Sequence, residues 1–422
     1  MYTNQKPSIV DKKTVNHVYE MVTSRNNDET LTHPRVLSLF SGCGGLDLGF
    51  HEEGFQTVWA NDISEWAVQS FRNNFGDVIT CGDINDYDPF HDDTIPDCDI
   101  ILGGFPCQDF SIIWKQPGLG GSRGNLYKHF LRFVEAKKPK AFVAENVKGI
   151  LTANNQMAIS TIIKDFENIA PGYLIKMHLY KFAEYGVPQF RERVLIVGVR
   201  MDTEFEFFHP IPTHGPRGHL PYVTAGEALK GVEDVPFNNE YMKVMPKTVE
   251  LLKLIPEGGN FTSVPRDHPL YVKGMISHVY RRINRKEPAK TIIAAGGGGT
   301  WGYHYPEPRP LTNRERARLQ TFPDDFYFNG SNAEVRRQIG NSVPPEGVKL
   351  VARALMPLFI GNYTRTNLTE IADKLRNMSI KERLQYDAQL HEIDWRKPGD
   401  RATCIKPSAI EDKTHELLRK VL

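Results

Sequence analysis

The chain has 422 residues, of which 40% are hydrophobic and 24% charged, as in a globular protein with more than one packing unit. No apolar run reaches the ~18 residues of a membrane helix, and the N-terminus lacks a signal-peptide core. Five cysteines without paired spacing argue against disulfides and zinc, and indicate a reducing intracellular compartment. The net charge of +1 requires any nucleic-acid surface to be a local patch.

The first regular pattern is a strand over 36–40, followed by a glycine turn over 41–47 and a helical stretch through 53. This order opens doubly wound nucleotide-binding folds, although the third glycine of the dinucleotide fingerprint is missing. A purely structural glycine turn is the alternative.

Acidic residues follow the next two predicted strands, over 57–61 and 77–80. Asp62 lies 20 residues after Gly42, where such folds hold a ribose hydroxyl. The alternative is that Asp62 caps the helix that begins near Ser64. Asp83 has the spacing to bond an adenine amino group, or it forms part of a loop turn.

The stretch from Gly103 to Ser111 follows a buried strand over 97–102. Two glycines and a proline end the strand and leave Cys107 at a strand-to-loop junction, where ligand chemistry usually occurs in open α/β sheets. Backbone amides pointing toward the thiol would favour the thiolate. The alternative is a small buried residue filling a turn.

Helices over 126–137 and 157–169 and strands over 141–144, 173–180 and 194–199 continue the alternation. About seven strands alternating with helices predict an α/β fold with a doubly wound, mostly parallel seven-stranded sheet.

The pattern changes near residue 202, where helical periodicity fades. Residues 266–290 carry seven Lys or Arg against two acidic residues, with aromatic side chains between them. Such a cluster suits a phosphate backbone, and a solvated charged face is the alternative. Helical periodicity returns at 311, with Thr312 and Glu315 as a capping box, and an apolar helix runs to about 359.

Six blocks stand in the order found in cytosine-5 methyltransferases, and the chain resembles the bacterial DNA enzymes of that family. The blocks are Phe40-Ser41-Gly42-Cys43-Gly44-Gly45, Pro106-Cys107-Gln108, Glu145-Asn146-Val147, Gln189-Phe190-Arg191-Glu192-Arg193, Arg314-Glu315-Arg316-Ala317-Arg318-Leu319-Gln320 and Gly340-Asn341-Ser342-Val343. The resemblance spans residues 35–359. It implies a Rossmann-like S-adenosylmethionine-dependent methyltransferase in which the target-recognition domain is an insertion. The expected divisions are an N-terminal extension (1–33), a catalytic domain in two parts (34–202 and 309–360), the recognition domain (203–308) and a C-terminal extension (361–422).

The resemblance also implies the catalytic roles. Cys107 would add to carbon 6 of a flipped cytosine, Glu145 would act as general acid at ring nitrogen 3, Arg193 would hold the base oxygen and Arg191 would support the pocket. The cofactor residues would be Phe40, Ser41, Gly42, Gly44, Gly45, Leu46, Asp62, Ile63, Asp83, Ile84, Pro106, Leu126, Asn341 and Ser342. The DNA-binding residues would be Gln108, Ser111, Arg123, Arg281, Arg282, Arg285 and Thr291.

The expected partner is double-stranded DNA, with no membrane or metal, and the protein would act as a monomer in the bacterial cytoplasm beside a separate restriction endonuclease. A tRNA cytosine-5 methyltransferase is the main alternative. That branch typically has Thr in place of Ser111 and a smaller recognition region, so the 108 residues between Arg200 and Arg309 favour DNA. Intact Cys107 and Glu145 argue against an inactive binding protein, and an oxidoreductase would leave five blocks unexplained.

Overall fold

The computed structural model describes residues 33–106, 126–273, 279–294 and 302–389. Its strands are β1 (Arg35–Leu39), β2 (Gln56–Asp62), β3 (Ile79–Cys81), β4 (Ile100–Gly103), β5 (Ala141–Val147), β6 (Tyr173–Lys181), β7 (Gln189–Phe190), β8 (Glu192–Arg200) and β9 (Ala289–Lys290). Its α-helices are α1 (Gly45–His51), α2 (Glu65–Phe75), α3 (Leu126–Lys137), α4 (Met157–Glu167), α5 (Ala225–Ala228), α6 (Pro246–Lys253), α7 (Asn313–Leu319), α8 (Asn332–Asn341), α9 (Pro345–Ile360), α10 (Leu368–Arg376) and α11 (Ile380–Gln389).

Seven of the strands form one sheet in the order β3-β2-β1-β4-β5-β8-β6. Strands β1 to β5 pair in parallel, whereas β8 is antiparallel to both β5 and β6. The strand order reverses between β1 and β4, and ligands of open α/β sheets bind beyond the carboxyl ends of strands at such a switch point. The predicted doubly wound, mostly parallel seven-stranded sheet is confirmed.

Successive residues of a strand point to opposite sides of the sheet, so an apolar strand presents apolar side chains on both faces. Helices cover both of these faces. Leu37 and Leu39 of β1 belong to one core with residues of α3 and α4, whereas Val36 belongs to a second core with residues of α1 and α9. Burial on both faces accounts for the nearly continuous apolar strands seen in the sequence.

A buried carboxyl group fixes the start of the sheet. Asp47 on α1 accepts hydrogen bonds from Ser38 Oγ at 2.8 Å and from Thr57 Oγ1 at 3.0 Å. Burial raises the pKa of Asp47 to about 6, against the opposing effect of these two bonds. Because β1, β2 and α1 are joined in this way, the glycine turn between β1 and α1 has a defined position.

The region between β8 and α7 has little regular structure in its described part. It contains an apolar core of its own, in which Leu251, Leu252 and Phe261 pack with Tyr303. A second cluster joins Ile283 and other residues of this region to α7 and α8. The boundaries of a recognition domain at 203 and 308 stay a prediction.

Helices α10 and α11 follow the family-like part of the chain and pack against the edge strand β6. Leu368 and Leu375 belong to one apolar cluster with Leu174 of β6. Arg383 of α11 lies with Nη1 2.8 Å from Oε1 of Glu167, and both side chains are buried. The described part of the C-terminal segment therefore adds apolar and ionic contacts to the sheet edge.

The third strand begins later than the sequence predicts. It runs from Ile79 to Cys81, whereas the prediction started it at residue 77. Gly76 ends α2 with a φ of 88°, and Asp77 pairs with Arg72 of the same helix at 2.6 Å. Residues 76 and 77 therefore belong to the helix end rather than to the strand.

Candidate active site

The turn between β1 and α1 brings two distant predicted cofactor segments together. Gly44 has a φ of 93°, and a Cβ atom there would lie 2.4 Å from the ring of Phe75. A Cβ atom on Gly45 would lie 2.0 Å from Oγ of Ser342. Both positions require glycine, one for its conformation and one for the close approach of the segment at 342. Beside Gly42, by contrast, an added Cβ would meet no atom within 4 Å.

Asp62, at the end of β2, closes this turn. Its Oδ2 accepts a hydrogen bond from Gly42 N at 2.8 Å, and its Oδ1 accepts one from Ser64 N at 2.8 Å. The N-cap of α2 is Ser64, whose side chain accepts from Ala67 N, so the alternative of Asp62 as the helix cap is wrong. Burial raises the pKa of Asp62, and the bonds from the backbone amides lower it.

The remaining predicted cofactor residues differ in accessibility. Ile63 is 71% exposed beside Asp62. The carboxylate of Asp83 accepts from Asn85 N at 3.0 Å, as expected of a loop turn. Ile84 is buried in one core and Leu46 in the other. Phe40 and Leu126 are half-buried, whereas Pro106 and Asn341 are exposed. The Ser41 hydroxyl donates to Asn61 O.

A buried ion pair lies at the carboxyl end of β5. Arg193 Nε is 2.8 Å from Oε1 of Glu145, and the two side chains are 16% and 11% exposed. The antiparallel register of β5 and β8 sets Val147 opposite Arg193 and Leu195 opposite Glu145. The arginine therefore reaches the carboxylate diagonally across the two strands.

The end of β4 lies directly against this pair. A Cβ atom on Gly104 would lie 3.0 Å from Oε2 of Glu145, and Asn146 Nδ2 donates to Phe105 O at 3.0 Å. These contacts hold the backbone of 104–105 next to the carboxylate. Cys107, Gln108, Ser111 and Arg123 lie outside the described residues.

Burial raises the pKa of Glu145, whereas Arg193 and Arg191 lower it. We expect burial to dominate, because a carboxylate removed from water loses its hydration. A carboxyl group whose pKa is raised keeps its proton to higher pH than an ordinary glutamate and can give it to a bound base. Perturbed carboxyl groups of this kind are typical of catalytic sites.

Arg191, expected from the resemblance to support the pocket, lies inside the protein next to two other backbone segments. It is fully buried, and its guanidinium donates to the carbonyl oxygens of Ile292, Gly340 and Ser342 at 2.8–3.0 Å. Burial lowers its pKa to about 9. These bonds tie the Arg191 guanidinium to the segments around residues 292 and 340–342.

Arg282, which the resemblance assigns to DNA binding, is buried and bonded within the protein, and its contact with DNA stays a prediction. Its side chain is buried, and its guanidinium donates to four carbonyl oxygens, of Leu252, Ile255, His304 and Tyr305. The sequence shows only that the residue is basic. The positive charge is used inside the apolar core of this region, where a buried guanidinium must be hydrogen-bonded.

Other residues assigned to DNA by the resemblance lie nearer the surface, and their DNA contacts stay a prediction. Arg285 is 49% exposed and pairs with Glu257, and the Thr291 hydroxyl donates to Phe190 O at 2.6 Å. A cavity of about 300 Å³ has Arg281, Lys290 and Thr291 among its lining residues. Glu257 and Glu287 also line this cavity, which lies along β9, the strand paired with β7.

Three polar residues of the site received no role from the sequence. Asn146 holds the end of β4, and the fully buried Gln189 and Gln320 bond each other at 2.9 Å. All three lie inside the motif blocks. An uncharged amide side chain within such a block was the sequence signal that could have indicated a structural role for them.

No group of three or more His, Cys, Asp or Glu side chains in the described residues could hold a metal ion. In the same part of the chain, no helix is sufficiently long and apolar to cross a membrane.

The fold and these residues define a Rossmann-like methyltransferase. The sequence model of C-5 cytosine-specific DNA methylases matches residues 34–356, and the chain belongs to this family. Members transfer a methyl group from S-adenosylmethionine to carbon 5 of cytosine in DNA.

Two relatives and one structure show the extent of the likeness. The chain is 65% identical over 362 residues to the type II methyltransferase M.NgoFVII of Neisseria gonorrhoeae, covering 85% of this chain and 96% of the relative. It is 42% identical over 341 residues to M.BbvI of Brevibacillus brevis, covering 76% and 90%. A prophage-encoded E. coli protein, assigned as a DNA modification methyltransferase, has a TM-score of 0.59 at 25% identity, covering 78% and 99%.

Proposed function

We propose that this chain methylates a cytosine flipped out of a specific double-stranded DNA site through a covalent Cys107 adduct, as the modification enzyme of a restriction-modification system. The observation that carries the residue roles is the buried Glu145–Arg193 pair beside the strand end that leads to Cys107. The likeness to a type II methyltransferase supports this biological role. We propose that the protein acts in the bacterial cytoplasm, separately from the endonuclease. We propose that the protein acts as a monomer.

The chemistry gives each side chain a task. The Cys107 thiolate adds to carbon 6 of cytosine, a carbon–sulfur bond forms, and the ring accepts a proton at nitrogen 3 from Glu145. Carbon 5 thereby becomes nucleophilic, and Arg193 holds the base oxygen. S-adenosylmethionine supplies an electrophilic methyl group. A base from solvent then takes the carbon 5 proton, the double bond between carbons 5 and 6 re-forms as the thiolate leaves, and nitrogen 3 returns its proton to Glu145.

The residues at the switch point fit S-adenosylmethionine. The open space beside Gly42 leaves room for a ligand at the backbone. The Asp62 carboxylate would accept from the ribose hydroxyls, the exposed Ile63 would lie against adenine, and Asn341 and Ser342 would complete the wall. The position agrees with the rule for ligands of open α/β sheets.

Bisulfite sequencing of plasmid DNA from cells that express the protein tests this function. We expect cytosines protected from bisulfite conversion in a single sequence context, and only in cells that express the wild-type protein. A Cys107→Ala variant expressed at the same level is the control. Plasmid DNA without any protected context, from cells that contain folded protein, would contradict the proposal.

Replacing Asp62 by Ala should weaken S-adenosylmethionine binding. Loss of a hydrogen bond to the ribose should cost on the order of 1–3 kcal/mol, which calorimetry can measure. Asp62→Asn is the control for the backbone, because its remaining oxygen can still accept from one of the two amides that Asp62 holds. Unchanged affinity in a folded Asp62→Ala variant would sink the cofactor assignment.

Replacing each of two adjacent arginines by alanine should change a different property, DNA affinity in one case and stability in the other. Arg281→Ala should weaken DNA binding. If Arg281 contacts a phosphate, the slope of log affinity against log salt concentration should become shallower by about one unit. Arg282→Ala should instead lower stability, by about 2–4 kcal/mol, because four carbonyl oxygens lose their donor. Salt titrations of DNA affinity and denaturant unfolding measure the two effects. Unaltered DNA affinity in Arg281→Ala would mean that its charge is only solvated surface.

A further inference from the structure

A buried amide joins β7 to two other segments. Gln189 Nε2 donates to Leu319 O at 3.1 Å and to Gln320 Oε1 at 2.9 Å. Its Oε1 accepts from Ile292 N at 2.7 Å. Gln189 is fully buried, so every one of these bonds replaces a bond to water and would be costly to leave unmade.

Gln320 extends the bonds to the segment that returns to the cofactor pocket. Its Nε2 donates to Ile339 O at 2.6 Å and to Ser342 O at 3.2 Å. Arg191 makes the same connection independently, because its guanidinium donates both to Ile292 O and to Ser342 O. Residues 339–342 and residue 292 are thus bonded to one continuous buried network.

The two segments also touch directly. A Cβ atom on Gly340 would lie 2.1 Å from Ala294 N, which leaves no space between the two backbones. Residues 289–290 pair with β7, and Thr291 bonds Phe190 O. A shift of 289–294 must therefore displace 339–342 or break buried hydrogen bonds.

We infer that the Gln189–Gln320 amide pair couples DNA binding at residues 289–294 to cofactor binding at residues 339–342. This rests on the proposed function, with Thr291 on the DNA side and Asn341 and Ser342 on the cofactor side. A ligand that holds one segment in this arrangement also holds the other, because moving either segment alone would break buried hydrogen bonds. Coupling of this kind is reciprocal, so each ligand tightens the other by the same factor. Gln189 and Gln320 are positioning residues that need not touch either ligand.

Gln320→Met tests the coupling, because it keeps the approximate volume and removes the amide. The measurement is the affinity for S-adenosylhomocysteine without DNA and with a saturating duplex that contains the methylated site. In the wild type, we expect the duplex to tighten S-adenosylhomocysteine binding by about 5–150-fold. In the variant we expect less than about threefold tightening, because the coupling is largely lost. The kcat and KM values should be recorded in parallel.

Gln338→Met is the matched control. Gln338 is another buried glutamine, on α8, but its amide bonds Ser70 Oγ and Asn329 O outside the network. This variant should keep the coupling factor even where it lowers the melting temperature. A Gln320→Met protein with full coupling and only reduced stability would overturn the inference, as would wild-type protein whose two affinities are equal.

A measurement on the wild type does not depend on a variant that folds. S-adenosylhomocysteine alone should slow hydrogen exchange of the Ile292 amide, which donates to Gln189. Unchanged exchange at Ile292 with the ligand bound would contradict the coupling. Wild-type protein that binds neither ligand would instead contradict the proposed function, so the two failures are distinct.

Discussion

DNA that carries 5-fluorocytosine at the methylated position should trap this protein as a covalent complex. After methyl transfer, carbon 5 carries fluorine and no proton, so the elimination that releases the thiolate cannot occur. The expected result is a band of reduced mobility that survives denaturation and requires S-adenosylmethionine.

The substitution Cys107→Ser should abolish the trapped band and turnover together. The hydroxyl is a far weaker nucleophile than a thiolate at neutral pH. DNA binding should persist, because phosphate contacts and base flipping do not use the thiol. Denaturing gels, methyl transfer and equilibrium DNA binding measure these three properties on one preparation.

The other cysteines supply the control. Burial raises the pKa of Cys43 to about 12 and also raises the pKa of Cys98, which keeps both thiols protonated. Cys81 is free and exposed, so Cys81→Ser is the matched variant and should keep the band. A band that persists in Cys107→Ser, or a peptide map that assigns the adduct to Cys81 or Cys404, would mean that the nucleophile is wrong.

Local patterns predict the elements of this fold because their causes are local. Buried strands such as β1 and β5 are short apolar runs, since both faces of the sheet are covered. The start of α7 follows from two residues, because Thr312 accepts from Glu315 N while Glu315 Oε2 accepts from Thr312 N at 2.8 Å. The motif blocks likewise predicted Glu145 and Arg193, which the structure brings within 2.8 Å.

Partners from distant segments could not be predicted in the same way. Arg281 and Arg282 are neighbours in one basic cluster, yet Arg282 is committed to carbonyl oxygens 22–30 residues away in the chain. Its burial depends on how those loops fold, and the local sequence is basic in either case. Gln189 is similar, since its bond to Gln320 spans 131 residues.

Glu145→Gln should slow formation of the covalent adduct by about 10²–10⁴-fold, the usual contribution of a general acid. The amide keeps the size of the side chain but cannot give a proton to ring nitrogen 3. Because the pKa of Glu145 is raised, the wild-type rate should fall as the pH rises through that value and the carboxyl ionises. The variant should lack this decrease, which rapid-quench trapping across a pH series can measure.

Glu167→Gln is the matched control, because it breaks a similar ion pair away from the site. Glu167 is 10% exposed and 2.8 Å from Arg383, compared with 11% and 2.8 Å for Glu145 and Arg193. Glu167 ends α4, just before β6 begins. Because β5 and β6 are both antiparallel to β8, they run in the same direction. The start of β6 therefore lies at the amino ends of these strands, whereas Glu145 lies near the carboxyl end of β5. Glu167→Gln should therefore reduce stability and leave adduct formation intact. An equal loss of adduct in both variants, or a normal rate in Glu145→Gln, would show that the Glu145 carboxyl only supports the fold.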